Sequence, residues 1–163
     1  MTFDTRAFRT ALGCFPTGVA VVTAESKGLH PKGITVNSFT SVSLDPPLVL
    51  WCVDQGSDRC ETFVSARSFT ISILDAAHRS LSAKLARRGE HSLDGITLLP
   101  TELGAPALAE ALAVFECERE SVHQGGDHVI LLGRVLRFSY RKAGSPLIFY
   151  RGRYVRLTDA AAD

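Results

Sequence analysis

No apolar run in this chain of 163 residues is long enough to cross a bilayer. The longest, such as Pro47 to Val53, falls far short of the roughly 20 residues that a helix needs to span a hydrocarbon core of about 30 Å, so no membrane association is expected. An excess of one charge is missing too. Eighteen Lys and Arg stand against 17 Asp and Glu, a formal net charge of +1, and that balance argues against nucleic acid as a partner. Cysteine is sparse and scattered: Cys14, Cys52, Cys60 and Cys117 contain no Cys-x-x-Cys pair, so they read as packed thiols and no metal site is expected. The sequence also lacks a Gly-x-x-x-x-Gly-Lys-Ser/Thr phosphate loop, a Gly-x-Gly-x-x-Gly turn after a strand, a His-Glu-x-x-His helix and a Gly-x-Ser-x-Gly elbow. Hydrolase readings therefore lack a nucleophile, and a nucleotide, if bound, must be held by something else. The opening Met-Thr-Phe-Asp-Thr-Arg does not read as a secretion signal, and a cytoplasmic location is the expectation.

Hydrophobic residues make up 45% of the chain and charged residues 21%, the proportions of a folded globular domain. No repeat or linker divides it, so residues 1–163 form one expected domain, with a core of about 5–157 and a frayed tail at 158–163. Asp4 can cap a first helix, with Phe3 stapled against Phe8 and Gly13 at its end. Strands are expected at Val19 to Thr23, Gly33 to Phe39, Ser41 to Leu44 and Leu48 to Val53, after a turn at Ser26-Lys27-Gly28. A helix capped by Ser57 precedes a strand from Ser68 to Leu74, with Phe69, Ile71 and Ile73 on one side, and a second helix covers about Ala76 to Arg87. The stretch 88–102 reads as an excursion able to act as a flap, with a short strand at Ile96 to Leu99. Val114 to Glu120 alternates, placing three Glu on one face. A long strand from Val129 to Phe138 and a final pair around Arg151-Gly152-Arg153 complete the pattern. Neighbouring antiparallel strands without strand–helix alternation imply a mainly β, α+β barrel with peripheral helices.

Three places concentrate chemistry. Thr35 to Ser43 sets five hydroxyls and the Asn37 amide in a strand region; its backbone edge can hold the rim of a planar heterocycle such as a flavin, or the run can be an ordinary solvent-facing strand. Ser57 with Arg59 would aim a hydroxyl and a guanidinium at a phosphate, or cap a helix beside a solvated Arg. Lys84, Arg87 and Arg88 can add charge nearby. His123-Gln124-Gly125-Gly126-Asp127-His128 is a tight turn in which Asp127 can fix the tautomer of His128 next to a nicotinamide, or a plain hairpin with a surface His. Hydride transfer between two stacked rings asks for positioning rather than for an acid–base pair, and suits a chain so poor in catalytic side chains.

The combination Phe15-Pro16-Thr17-Gly18-Val19, Gly33 to Val49, Gly126-Asp127-His128 and Pro146 to Tyr154 resembles the short flavin reductases that supply reduced flavin to two-component monooxygenases. The resemblance spans residues 5 to 157 and implies an antiparallel, Greek-key-like FMN-binding split β-barrel acting as an NAD(P)H:flavin oxidoreductase. It implies FMN or FAD as cofactor, NADH or NADPH as reductant, a homodimer and a monooxygenase partner. The segment Thr35, Val36, Asn37, Ser38 would lie along the isoalloxazine, and Cys52, Val53, Ser57 and Arg59 would reach the ribityl phosphate. His128, Asp127 and Tyr154 would meet the nicotinamide nucleotide, with His128 as the catalytic position. Lys84, Leu85 and Ala86 would stand beside the flavin, with Leu85 where relatives often carry Phe. A flavin-binding or redox-sensing module without turnover, and a ligand-binding barrel without flavin, are the competing readings.

Overall fold

Branched and aromatic residues at alternate positions build the strands of this chain, since such side chains pack well on a pleated surface. The computed structural model describes residues 3–26 and 29–157; the turn expected at Lys27-Gly28 and the tail at 158–163 lie outside the described residues. In chain order the elements are α1 (Thr5–Leu12), β1 (Thr17–Gly18), β2 (Ala20–Ser26), β3 (Leu29–Val36), β4 (Thr40–Leu44), β5 (Pro47–Asp54), α2 (Cys60–Ser65) and β6 (Ser68–Ile73). A 3-10 turn (Ala76–His78) then leads into α3 (Arg79–Leu85), followed by β7 (Leu98–Leu99), β8 (Ala107–Leu108), β9 (Ala113–Gly125), β10 (His128–Tyr140), β11 (Ile148–Tyr150) and β12 (Arg153–Val155).

Seven strands form the main sheet in the order β3-β2-β6-β9-β10-β5-β4, every pair antiparallel. The sheet curls until β3 approaches β5, and there Ser38 joins the two: its Oγ accepts from Cys52 N at 2.9 Å and lies 3.3 Å from Cys52 O. Inside the curl, Trp51 meets Phe63 and Phe69 edge-on, with ring centroids 5.2 and 5.7 Å apart. Burying each such ring stabilises the fold by about 2–3 kcal/mol. A second cluster of Val19, Val21, Leu74, Leu85, Leu93, Leu108 and Leu147 fills the space outside the sheet.

Several expectations hold at the level of individual contacts. Asp4 Oδ1 accepts from Arg6 N and Ala7 N, and Phe3 packs against Phe8 with centroids 5.2 Å apart. The final hairpin turns on Arg151 and Gly152, both at positive φ. Other expectations need correction. The strand begun at Gly33 ends at Val36, because Asn37 to Phe39 must leave one sheet edge and cross to the other. Ser57 does not cap a helix: α2 begins at Cys60, and the Ser57 hydroxyl closes a local turn by accepting from Arg59 N at 3.3 Å. The helix expected to reach Arg87 ends at Leu85.

The excursion is no free flap. Within 88–102, His91 O accepts from Gly33 N at 3.1 Å, Leu93 is buried and Leu98–Leu99 pair with Ala107–Leu108, while the segment that follows lies against β2 and β6, where the buried hydroxyls of Thr23, Thr70 and Ser72 bond Pro106 O, Ala105 O and Leu108 N. Buried hydroxyls require such partners, so this stretch is fixed to the sheet. The three Glu of β9 are likewise engaged or flanked: Glu116 accepts from Glu102 N and Leu103 N, and Glu120 makes a two-point contact with Arg134 at 2.8 and 2.9 Å.

Candidate functional site

The separation of β3 from β5 leaves a cleft of about 240 Å³ lined by Ile34, Thr35, Gly56, Ser57, Ala86 and Arg88, with Asp54, Asp58 and Arg59 completing its wall. Its shape follows from local chemistry. Gly56 N donates to Asp54 Oδ1 at 2.7 Å, and Ser57 N to Asp54 O at 3.0 Å, so the chain after β5 turns sharply and aims the Ser57 hydroxyl at the opening. Across the cleft, Thr35 Oγ1 donates to Ser82 O at 2.9 Å and fastens β3 to α3.

Arg59 sits differently from the sequence-based expectation. Its side chain is buried, and its guanidinium donates to Leu85 O at 2.7 Å, Arg87 O at 2.9 Å, and Gly33 O and Glu90 O at 3.3 Å. Leu85 O is a carbonyl that the C-terminus of α3 leaves open, and a cation there is favoured by its partial negative charge; Gly33 O belongs to β3, and Arg87 O and Glu90 O to the segment after α3. Burial pushes the Arg59 pKa down, while Asp58, with Oδ1 at 3.4 Å from Nε, opposes that shift. Asp58 Oδ2 accepts from Gly89 N at 3.0 Å. Together Asp58 and Arg59 clamp residues 85 to 90, and this clamp brings Arg88 to the cleft. Arg59 is thus a strut beneath the wall; the exposed cation at the opening is Arg88.

Of the residues singled out from sequence, Thr35, Ser57, Arg59 and Ala86 meet at the cleft. Ser38 and Cys52 are bonded to one another just beyond it, and Asn37 is exposed at its end. Within the described residues no loop or turn backbone hydrogen bond engages Asn37, Ser38 or Phe39, so their peptide groups form an open polar edge. The side chains of Val36, Val53 and Leu85 are buried in the core and offer only backbone to a ligand. Leu85 therefore does not replace an aromatic wall; it packs beneath Gly33. Lys84 is half-buried and does not line the cleft. Burial pushes the Cys52 thiol up in pKa, against the lowering effect of the Ser38 hydrogen bond.

His128 begins β10 directly opposite Asp54, a cleft residue, so the turn 125–128 stands one strand away. His128 Nδ1 is 2.7 Å from Asp127 Oδ1. With Nδ1 bonded to the carboxylate, Nε2 is the ring nitrogen of His128 left free for a ligand. That hydrogen bond holds the Asp127 carboxyl below its ordinary pKa, and the charges of His128 and, more weakly, Arg9 act in the same sense. Sequence reading missed Gln55, whose Nε2 bonds Gln124 Oε1 at 2.8 Å and Gly126 O at 3.1 Å and clamps this turn to β5. It also missed Ser82, which bonds Tyr154 Oη at 2.8 Å and ties Tyr154 to Thr35 through its own carbonyl. No signal within either neighbourhood marks these pairs, whose members lie 69 and 72 residues apart.

The fit to a planar heterocycle with a phosphorylated tail is good. The cleft accommodates a phosphorylated polyol, the open edge at Asn37 to Phe39 offers donors and acceptors to a ring rim, and Ser57 and Arg88 supply a hydroxyl and a cation. Among the described residues no group of His, Cys, Asp and Glu is arranged to hold a metal ion, and no helix is long and apolar enough to cross a membrane.

Comparison with known proteins points the same way. Residues 12–158 match the flavin reductase like domain. The chain is 45% identical to the FMN reductase (NADH) SmoA of Agrobacterium fabrum, over 95% of this chain and 87% of that protein. It is 39% identical to the flavin-dependent monooxygenase reductase subunit HsaB of Rhodococcus jostii, over 93% and 77% of the two chains. Among solved structures, the NADH:FAD oxidoreductase SgcE6 of Streptomyces globisporus, in complex with NAD and FAD fragments, superposes with a TM-score of 0.91 at 36% identity, covering 99% of both chains.

Proposed function

The chain belongs to the flavin reductase like domain family, and from its site we propose that it is an NAD(P)H:flavin oxidoreductase that hands reduced FMN or FAD to a separate monooxygenase. The observation that carries this reading is the open peptide edge at Asn37 to Phe39 beside a cleft with a hydroxyl and a cation at its mouth. A bound flavin supplies the acceptor for the nicotinamide C4 hydride, leaving the nicotinamide oxidised and the flavin reduced by two electrons. The chain's own residues bind and orient. Peptide groups from Thr35 to Ser38 hold the ring rim, the Ser57 turn and Arg88 receive the phosphate, and Arg59 with Asp58 keeps Arg88 in place. His128, aligned by Asp127, accepts from the nicotinamide carboxamide through Nε2, and Tyr154, held by Ser82, lines the reductant's approach.

The homodimer also belongs to this reading. No α1 residue is buried, and Phe8, Leu12, Phe15, Leu44, Phe138 and Tyr140 are exposed, apolar side chains that a second copy would cover. Four free thiols and a need for reduced nicotinamide support a cytoplasmic location. The deciding experiment is oxidation of NADH and NADPH with FMN and with FAD, under anaerobic conditions and with excess flavin. Bleaching of at least one flavin is expected; absence of turnover in all four combinations would refute the enzyme reading.

A further inference from the structure

The turn that carries His128 gains little stiffness from its own sequence. Gly125 and Gly126 stand side by side there, Gly126 at φ +71°, and glycine backbone has more freedom to lose on folding than any other residue. The regular pairing of β10 with β5 starts at His128 opposite Asp54, so the tip of the β9–β10 hairpin lies past the last paired residue. Something outside the turn must hold it.

Gln55, the residue after β5, reaches that tip twice. Its backbone N donates to Asp127 O at 3.0 Å, and its side-chain Nε2 faces Gln124 Oε1 at 2.8 Å, Gly126 O at 3.1 Å and His128 O at 3.4 Å. Two of these three oxygens are peptide carbonyls, which only accept, so the amide presents its NH2 to the turn. One side chain therefore grips both strands of the hairpin and the turn between them. Gln55 is exposed and does not line the flavin cleft, although its neighbours Asp54 and Gly56 do.

We propose that Gln55 is a positioning residue for hydride transfer: acting through His128, it sets the fraction of molecules in which that imidazole stands ready for the nicotinamide. The proposal rests on the flavin reductase reading and adds to it a residue outside the cleft. Its basis is a population. When the binding-competent arrangement is only partly populated, apparent affinity for the ligand falls by that fraction. Bound reductant selects the same arrangement with or without the clamp, so the rate at saturation changes little.

The test uses the full chain at saturating FMN with NADH, in wild type, Gln55→Ala, His128→Ala and the double variant. Gln55→Ala raises the KM for NADH about fivefold, the scale of one or two solvent-exposed hydrogen bonds, with kcat within about twofold. FMN affinity stays within about twofold and Tm within about 2 °C, as for other exposed positions. In the His128→Ala background the same substitution moves the KM less than about twofold, because the group it acts through is gone. Gln55→Glu keeps the length but turns an acceptor towards the two carbonyls, and raises the KM at least as far as Gln55→Ala. An unchanged KM in both Gln55 variants overturns the proposal, and so does an equal rise with and without His128. A fall in FMN affinity or Tm matching the loss of NADH affinity also overturns it, since Gln55 would then serve the fold alone. Wild-type protein that oxidises neither NADH nor NADPH refutes the reductase reading itself, a result distinct from any of these.

Discussion

Replacing Arg59 by Met keeps the length of the buried stem and removes the cation that four carbonyls share. The contacts to Gly33 O and Leu85 O lie in fully buried surroundings, whereas those to Arg87 O and Glu90 O are partly open and can turn to water. An orphaned buried carbonyl costs about 1–3 kcal/mol, so two of them destabilise the variant by about 3 kcal/mol. For a chain of this size that is a fall in Tm of about 6–12 °C. The assay is a thermal melt without flavin, followed by titrations with FMN and with lumiflavin, which has the ring but no phosphate tail. A strut predicts a lower Tm together with weakened affinity for FMN, because Arg88 and the 85–90 segment lose their anchor. An unchanged Tm with a selective loss of FMN against lumiflavin would refute this argument and make Arg59 a direct phosphate ligand.

Three further outcomes are expected. His128→Ala raises the KM for the nicotinamide reductant about tenfold and leaves flavin affinity within about twofold, since one hydrogen bond to a bound ring is lost; stopped-flow and flavin titration measure the two separately. Gly133→Ala places a Cβ 2.6 Å from Phe69 Cζ and 3.1 Å from Cys117 Cβ, forcing the ring that meets Trp51 edge-on to shift. Overpacking of this kind costs about 1–3 kcal/mol, read as a lower urea midpoint. Burial pushes the Cys117 thiol up to about 12, with Glu116 adding to the shift. The stability this group contributes is therefore present below the unfolded thiol's pKa near 9.0 and is lost as pH rises towards 12. In native protein at pH 8 a thiol reagent consequently modifies exposed Cys14 and spares Cys117 until the chain unfolds.

Most strands were legible because their patterns are local. Val19 to Thr23 and Ser68 to Leu74 announce themselves through branched residues, and the last hairpin through Gly152. The local signals misled where long-range partners decide the outcome. Ser57 followed by Arg59 looks like a capped helix, yet the partners that fix Arg59 lie 26 to 31 residues away. Thr70 and Ser72 alternate with apolar neighbours as an exposed face would. Their burial follows from the segment 105–108 lying across β6, and only the contacts to Ala105 O and Leu108 N reveal it. At the site, Thr35, Ser57 and the Asp127–His128 pair were readable as residue types in unusual settings. Gln55 and Ser82 were not, because a clamp between distant segments leaves no mark on either one.

The grip of Asp58 and Arg59 on residues 85 to 90 also bears on how the ligand leaves. Since one buried cation already sets the far side of the cleft, little chain must become ordered when a flavin arrives, and little disorder is regained when it departs. A preformed receptor of this kind takes up its guest without waiting for a segment to fold.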